Sequence, residues 1–358
     1  MRANAVVPLP AVDFNGRRRQ LFTAGIAGLG VGVFHFLSFP LPFLLGPLFA
    51  CLTAALLGVR MENMGRLGTG MRTILGVAVG AAITPELLTR LPGMAFSVAM
   101  VGPYVALIGI LGYPFFRRIC GFDGPTAFYA AMPGGFQDMV IFGEEAGADV
   151  RALSLIHATR VLVIVSLVPF LILTVFEQTL DAPPGEPLAD IPLPEILLMG
   201  AACLVGWLGG QRIGLFGASI LGPMVLGAGL SLADLLHHRP PATAILAAQF
   251  FIGTSIGAKY MGVTMREIRV DVMAGFAFCV IIGALAFVFA QIAAYMRWAP
   301  PLEALLSFAP GGQAEMAVIT IVAGADLAFV VTHHVIRIVV VIVGAPIVGR
   351  LLNWQIPE

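Results

Sequence analysis

The sequence reads PGGFQD at positions 133–138 and PGGQAE at positions 310–315. Each segment lies inside a long apolar run, and each ends in a carboxylate. Proline removes a backbone donor and clashes with the preceding helical turn, and the two glycines after it accept almost any backbone angle. The motif therefore predicts a helix break in the middle of an apolar segment, made twice in one chain.

The composition of the chain is that of a membrane protein. Hydrophobic residues make up 59% of its 358 residues and charged residues only 11%, whereas a soluble domain carries about 25% charged residues. Apolar stretches of membrane-spanning length recur, for example at 94–116, 152–176 and 272–295. We therefore expect an all-α polytopic membrane protein.

The chain is an internal duplication with an offset of 177 positions, or 176 near its start. The paired positions are Gly76 and Gly80 with Gly253 and Gly257, Pro133 with Pro310, Asp138 with Glu315, AGAD 146–149 with AGAD 323–326, His157 with His334 and Arg160 with Arg337. The G-x-x-x-G spacing of the first two pairs predicts close helix packing. Asp149 and Asp326, which end the AGAD segments, are expected to cap the helices that follow.

The duplication divides the chain into five segments. We predict a cytoplasmic N-terminal tail at 1–20 and a first membrane repeat at 21–176. An extracytoplasmic linker rich in proline and acid follows at 177–194. A second membrane repeat at 195–352 and a C-terminal tail at 353–358 complete the chain.

The placement of the basic residues favours inverted repeats. If each PGG segment is re-entrant, each repeat crosses the membrane about five times and the second repeat is upside down. This arrangement leaves only Arg90, Arg239 and Arg297 outside, as the excess of basic residues in cytoplasmic loops requires. We predict two such repeats, each with a broken or re-entrant PGG segment and with both chain termini cytoplasmic. Whether the PGG segments cross fully is left open.

A helix break inside a membrane is tolerated only within protein or beside a water-filled cavity. Secondary transporters place such breaks at the bilayer midplane, where the partial positive charge of the helix N-termini suits an anion. We therefore expect the residues of both breaks to bind substrate. These residues are Gly134, Gly135, Gln137, Gly311, Gly312 and Gln313.

The acids Asp138 and Glu315 follow the two breaks. A charged acid at the membrane centre costs about 2.5–3.5 kcal/mol on insertion scales, so it is a functional candidate. We expect both acids to couple transport to an ion, by taking up and releasing a proton or by binding Na⁺. The alternative is that they only cap the second helix of each break.

His157 and Arg160 lie three residues apart on one helix face, as do His334 and Arg337. Arginine stays charged in a protein and needs a partner in apolar surroundings. One candidate partner is the acid of the same repeat. The other is a substrate carboxylate, which would make both arginines substrate ligands and both histidines part of the ion coupling.

The LGP segments at 44–47 and 220–223, the segments MPGGFQDMV and APGGQAEMAV, and AGAD followed by H-x-x-R resemble the AbrB-duplication family of bacterial inner-membrane proteins. The resemblance extends over nearly the whole chain. Proteins of this family have been labelled AbrB-type regulators, ammonia monooxygenases and, more recently, AbrB family transporters. The resemblance implies a location in the bacterial inner membrane and does not identify a substrate.

The sequence favours a secondary active transporter of a small organic anion or amino acid, coupled to H⁺ or Na⁺. A membrane regulator or sensor that affects gene expression indirectly is the first alternative, and a membrane monooxygenase is the second. No C-x-x-C, H-x-x-x-H or E-x-x-H pattern is present, so we expect no metal, no cofactor and no enzymatic activity. The expected partners are an anionic or zwitterionic small molecule and the lipid bilayer, without nucleic acid. A homodimer is left open.

Overall fold

The computed structural model describes residues 16–62, 64–215 and 217–351, and its regular elements over these ranges are all helical. The helices of the first half are α1 Gly16–Phe36, α2 Pro42–Leu56, α3 Gly65–Ala81, α4 Pro85–Ala99, α5 Val101–Pro114, α6 Gly124–Ala131, α7 Phe136–Glu145 and α8 Val150–Thr174. Those of the second half are α9 Leu193–Arg212, α10 Ala218–Leu232, α11 Ala242–Ala258, α12 Met265–Glu267, α13 Met273–Tyr295, α14 Pro301–Phe308, α15 Gln313–Val322 and α16 Leu327–Leu351.

Both halves have the same order of long and short helices. A long helix is followed by two of 15 and 17 residues and then by a second long helical segment. Two short helices and a final helix of 25 residues complete each half. The second long segment contains a π-helical turn in both halves, at Phe115–Ile119 and at Ile268–Val272.

Five helical segments in the described part of the chain are long and apolar enough to cross a membrane. They are Pro92–Ile119, Val150–Thr174, Leu193–Arg212, Met265–Tyr295 and Leu327–Gly349. Large apolar side chains lie on their outer surfaces, such as Leu197, which is 64% exposed, and Val280, which is 61% exposed. Extended apolar surfaces of this kind are rare on soluble monomers. The chain is therefore a membrane protein, as the composition predicts.

The helices α2, α3, α10 and α11, each of 15 or 17 residues, pack on one another between the two halves. At about 1.5 Å per residue they are roughly 22–26 Å long, which is less than the roughly 30 Å of a bilayer core. Leu44, Leu75 and Ile252 on α2, α3 and α11 are completely buried, whereas α10 keeps an exposed face at Val225. These short helices join the two halves.

Glycines in α3 and α11 allow close contact between the two halves. A Cβ atom at Gly76 of α3 would collide with the carbonyl oxygen of Ile220 in α10. A Cβ atom at Gly253 of α11 would collide in the same way with the carbonyl of Leu44 in α2. The packing interpretation of the G-x-x-x-G pairs is therefore confirmed, and each pair packs on a helix of the other half.

A second set of glycine contacts joins neighbouring helices within each half. Gly30 of α1 meets the backbone of Gly46 in α2, and Gly206 of α9 meets the backbone of Gly222 in α10. Gly46 and Gly222 belong to the two LGP segments. In this way α2 and α10 have backbone contact with one helix of their own half and one of the other.

The AGAD segments end in helix caps. Asp149 accepts hydrogen bonds from the backbone N–H groups of Arg151 and Ala152, at 2.9 and 3.0 Å. Asp326 accepts one from Phe329 at 3.0 Å. The capping predicted for both aspartates is confirmed, and it sets the first turns of α8 and α16.

The predicted termini fall largely outside the described residues, which exclude 1–15 and the whole C-terminal tail at 353–358. Helix α1 begins at Gly16, so the described end of the predicted N-terminal tail is helical. The linker at 177–194 contains one short 3₁₀ turn, Leu188–Asp190. Its Ala182 N–H donates to the carbonyl of Val322 at 3.1 Å, which places the linker against the end of α15.

We predict that Gly76→Ala destabilises the protein, because the added methyl group has to separate α3 from α10. Overpacking of this kind costs about 1–3 kcal/mol. The midpoint of thermal unfolding in detergent, followed by size-exclusion chromatography, is expected to fall by several degrees.

Gly229→Ala in α10 is the matched control, because nothing lies within 4 Å of the added Cβ atom. Alanine is the better helix former by about 1 kcal/mol, so this variant should be unchanged or slightly more stable. Equal stability of the two variants would contradict the proposed contact.

Candidate functional site

Each PGG segment separates two short helices. Helix α6 ends at Ala131 and α7 begins at Phe136, with Gly135 as its extended N-cap. In the second half α14 ends at Phe308, and α15 begins after the extended residue Gly312. Each break frees carbonyl groups at the end of one helix and N–H groups at the start of the next.

The carbonyl groups of the first break are bound by residues of α8. The two terminal nitrogens of Arg160, Nη1 and Nη2, donate to the carbonyls of Met132 at 3.0 Å and Gly134 at 2.8 Å. His157 Nε2 lies 3.1 Å from the carbonyl of Tyr129. Because a carbonyl can only accept, this nitrogen is the protonated one. The first break is thus closed on its carbonyl side by the His–Arg pair.

The second break repeats this arrangement with residues of α16. Arg337 donates to the carbonyls of Ala309 and Gly311, both at 2.8 Å. His334 Nε2 lies 2.9 Å from the carbonyl of Leu306. The hydroxyl of Tyr104 on α5 donates to the carbonyl of Phe308 at 2.7 Å. The related position in the second half is Ile281, which cannot donate such a bond to the first break.

Of the two partners considered for Arg160 and Arg337, the acid of the same repeat is therefore not the one that the structure shows. Among the described residues, both guanidinium groups donate to backbone carbonyls and not to Asp138 or Glu315. The physical reason is that a carbonyl in apolar surroundings finds no water that could donate a hydrogen bond to it. A cation at a helix C-terminus also meets the negative end of the helix dipole.

Asp138 and Glu315 lie in the first turns of α7 and α15. Their side chains are 9% and 8% exposed. The Glu315 carboxylate lies directly over Gly312, where a Cβ atom would collide with it. Acids in a first helical turn are favoured by the helix dipole, so a stabilising contribution to these helices coexists with any role in ion binding.

A cavity of about 120 Å³ lies between the two breaks. Residues of both halves line it, and the ones with polar groups at the surface are Arg72, Gly134, Gly135, Asp138, Arg160, Ser219, Lys259, Gly312, Gln313 and Glu315. The N-caps of α7 and α15, Gly135 and Gly312, both belong to this lining, and as glycines they provide no side-chain cap. The cavity thus combines two helix N-termini with charged side chains of both signs.

The structure brings most of the predicted site residues into this cavity. Gly134, Gly135, Asp138, Arg160, Gly312, Gln313 and Glu315 line it. Gly311, Arg337, His157 and His334 are not among the lining residues; Arg337 and both histidines are completely or almost completely buried behind the breaks. The side chain of Gln137 lies outside the described part of the structure.

Sequence reasoning missed two cations of the cavity, Arg72 on α3 and Lys259 at the end of α11. Lys259 Nζ lies over the face of the Phe136 ring, a cation–π arrangement. One signal for Lys259 was present, since it is the only lysine in the chain. Arg72 could be noticed because its counterpart in the second half is Gln249.

A second cavity of about 640 Å³ lies at the other end of α11. Its polar lining includes Glu186, His237, Arg239 and Asp326. Hydrogen bonds from His237 to Asp234 and to Glu195 raise the pKa of this exposed histidine. Neither PGG segment reaches this cavity. No group of three or more metal-ligating side chains is present among the described residues.

Comparison with known proteins identifies the family. Residues 43–353 match the family model described as transition state regulatory protein AbrB. The chain belongs to this family. The membership confirms the resemblance seen in the LGP and PGG segments.

Two relatives are similar to this chain over most of their own length. "Uncharacterized protein YhjN" of Bacillus subtilis (strain 168) is 29% identical over 301 residues, which cover 78% of this chain and 77% of the relative. "Putative regulator AbrB" of Escherichia coli (strain K12) is 24% identical over 330 residues, which cover 89% and 92%. Neither name states a substrate or a reaction.

We predict that Arg337→Met destabilises the protein strongly, because the carbonyls of Ala309 and Gly311 lose their donors. Each orphaned carbonyl costs about 1–3 kcal/mol. Thermal unfolding in detergent is expected to shift by several degrees or to give no folded peak.

Arg118→Met is the matched control, since Arg118 is exposed. It should unfold at the temperature of the unmodified protein. The same melting temperature for Arg337→Met would show that the guanidinium does not hold the break.

Proposed function

We propose that this protein is a secondary active transporter of a small organic anion or amino acid, with its substrate site in the cavity between the two PGG breaks. The observation that carries the proposal is that one cavity is lined by both breaks and by both acids, Asp138 and Glu315. Transporters built from inverted repeats bind substrate at such a junction of discontinuous helices.

The proposed topology is that of two inverted repeats with re-entrant PGG segments. In support, the two halves share one order of helices, and short helices of one half pack on short helices of the other half. We propose the bacterial inner membrane as the location, with both termini in the cytoplasm, on the basis of the positive-inside rule. In this orientation Arg72 and Lys259 face the cytoplasmic end.

The two LGP segments differ in exposure at the cavity, which suits alternating access. Ile220 and Leu221 line it and are partly exposed. Their counterparts in the first half, Leu44 and Leu45, are completely buried. We propose that the protein is open toward the cytoplasm in this structure. In the opposite, outward-open state, Leu44 and Leu45 would line the cavity and Ile220 and Leu221 would be buried.

A membrane regulator is the second candidate, because the Escherichia coli relative carries the word regulator in its name. Such a protein would use the same cavity to sense a ligand without moving it. We do not propose an enzymatic reaction, and no observation on the described residues favours the monooxygenase alternative. The proposed surroundings are lipid and a small solute, without nucleic acid.

Replacing Asp138 by Asn or Glu315 by Gln should abolish coupled flux in proteoliposomes and leave the fold intact, because each change removes one ionisable group of the cavity. The measurement is counterflow of radiolabelled short organic anions and amino acids, with and without an imposed pH or Na⁺ gradient. A monodisperse size-exclusion peak at the normal position checks folding.

Glu144→Gln on the same helix as Asp138 is the control, because Glu144 is exposed and is not among the cavity-lining residues. It should transport normally. Full gradient-driven flux in both cavity variants would refute the coupling role of the acids. Ligand binding without flux in the unmodified protein would favour the regulator.

The proposed inward-open state predicts from which side of the membrane a reagent reaches position 219. In a variant whose four cysteines are replaced by alanine, Ser219→Cys should react with a membrane-impermeant thiol reagent in inside-out vesicles, because Ser219 lines the open side of the cavity. Leu44→Cys, at a completely buried position, should react slowly there. Equal labelling of both sites would contradict an inward-open state.

A further inference from the structure

The charges that line the cavity between the breaks do not cancel. Three cations, Arg72, Arg160 and Lys259, face two acids, Asp138 and Glu315. With both acids ionised the lining carries an excess of one positive charge. A buried charge without a partner is unfavourable, so the empty cavity favours a guest with a single negative charge.

The excess charge comes from one side of the cavity. Arg160 has a counterpart in Arg337, and its terminal nitrogens are already bonded to the backbone. Arg72 and Lys259 have neutral counterparts, Gln249 and Ala82. Each of these two cations is thus present in only one copy of the duplicated unit, and in the described part of the chain neither forms a salt bridge with a carboxylate.

Donors from the breaks converge on the same space. The N-termini of α7 and α15 begin at the glycine N-caps Gly135 and Gly312, which provide no side-chain cap, and each helix is 10 residues long. Arg160 is 4% exposed and lines the cavity. A carboxylate with its two oxygens matches such a set of N–H donors.

The volume of the cavity limits the size of the guest. Its 120 Å³ correspond to about four water molecules in the liquid, and a cavity of roughly 150 Å³ accommodates benzene with its six carbon atoms. Usual ligand pockets have about 300 Å³ or more. A guest of about four to six non-hydrogen atoms would fill this volume.

We propose that the cavity binds a short monocarboxylate, with Lys259 and Arg72 as the residues that select its negative charge. The proposal rests on the proposed function, in that the bound anion is the transported substrate. It narrows the substrate class, because a zwitterionic amino acid of the same size brings an ammonium group against two free cations. A dicarboxylate or tricarboxylate exceeds both the volume and the excess charge.

Binding to the purified protein in detergent tests this selection without any transport assay. Titration calorimetry with the sodium salts of lactate and pyruvate is expected to show saturable binding. Lactamide, which has the shape of lactate without its charge, alanine and citrate are expected to bind at least about tenfold more weakly, because each lacks the fit of charge or size.

Two variants test the assigned residues. Lys259→Gln and Arg72→Gln, the second of which copies the counterpart Gln249, are each expected to weaken lactate binding by about tenfold or more. Lys259→Arg keeps the charge and should retain measurable binding. Arg266→Gln, which changes an exposed cation on the predicted cytoplasmic side, should bind lactate normally, and unfolding temperatures without ligand check that all variants are folded.

The outcomes separate this inference from the proposed function. Tighter binding of alanine or citrate than of lactate, unchanged binding in both glutamine variants, or no binding of any monocarboxylate would overturn the inference. Transport of a larger solute would do the same while leaving the transporter proposal in place. Lactate binding without counterflow in proteoliposomes would support the selection and overturn the proposed transport.

Discussion

The structure depends on one constraint: a helix that breaks inside apolar surroundings must find partners for the backbone groups it frees. Both PGG segments meet it in the same way. Arg160 and Arg337 each bridge two carbonyls across the break, and His157 and His334 bind a third one turn earlier. The H-x-x-R spacing is thereby explained, since two donors on one helix face reach successive carbonyls of a neighbouring helix end.

The two sides of each break differ in how their backbone groups are bound. The carbonyl side is hydrogen-bonded by buried side chains, whereas the N–H side begins at a glycine N-cap without a side-chain cap and lines a cavity. The partial positive charge of two helix N-termini is thereby directed at one space. The proposed binding of an anion depends on this arrangement.

The packing of short helices of one half on those of the other half explains how two similar halves share one cavity. Glycines of α3 and α11 bring each helix into backbone contact with the opposite half, so neither half forms the site alone. The halves are nevertheless unequal at this junction. Arg72 and Lys259 stand against Gln249 and Ala82, and the buried Leu44 and Leu45 stand against the more open Ile220 and Leu221. The duplication provides similar helices in both halves, and these differences are the basis of the proposed preference for a negatively charged guest.

The sequence by itself determined the membrane class, the duplication, the helix breaks and the caps at Asp149 and Asp326, because composition, periodicity and backbone-breaking residues act locally. It also identified most of the site residues that line the cavity through the two breaks and their acids, although apolar side chains from other helices complete the lining. Only the tertiary structure decided the partners of the arginines and the presence of Arg72 and Lys259. A lone cation in an apolar run has several acceptors within reach, and which one it meets depends on how distant helices pack. The sequence restricts that packing through glycine spacing but does not specify it.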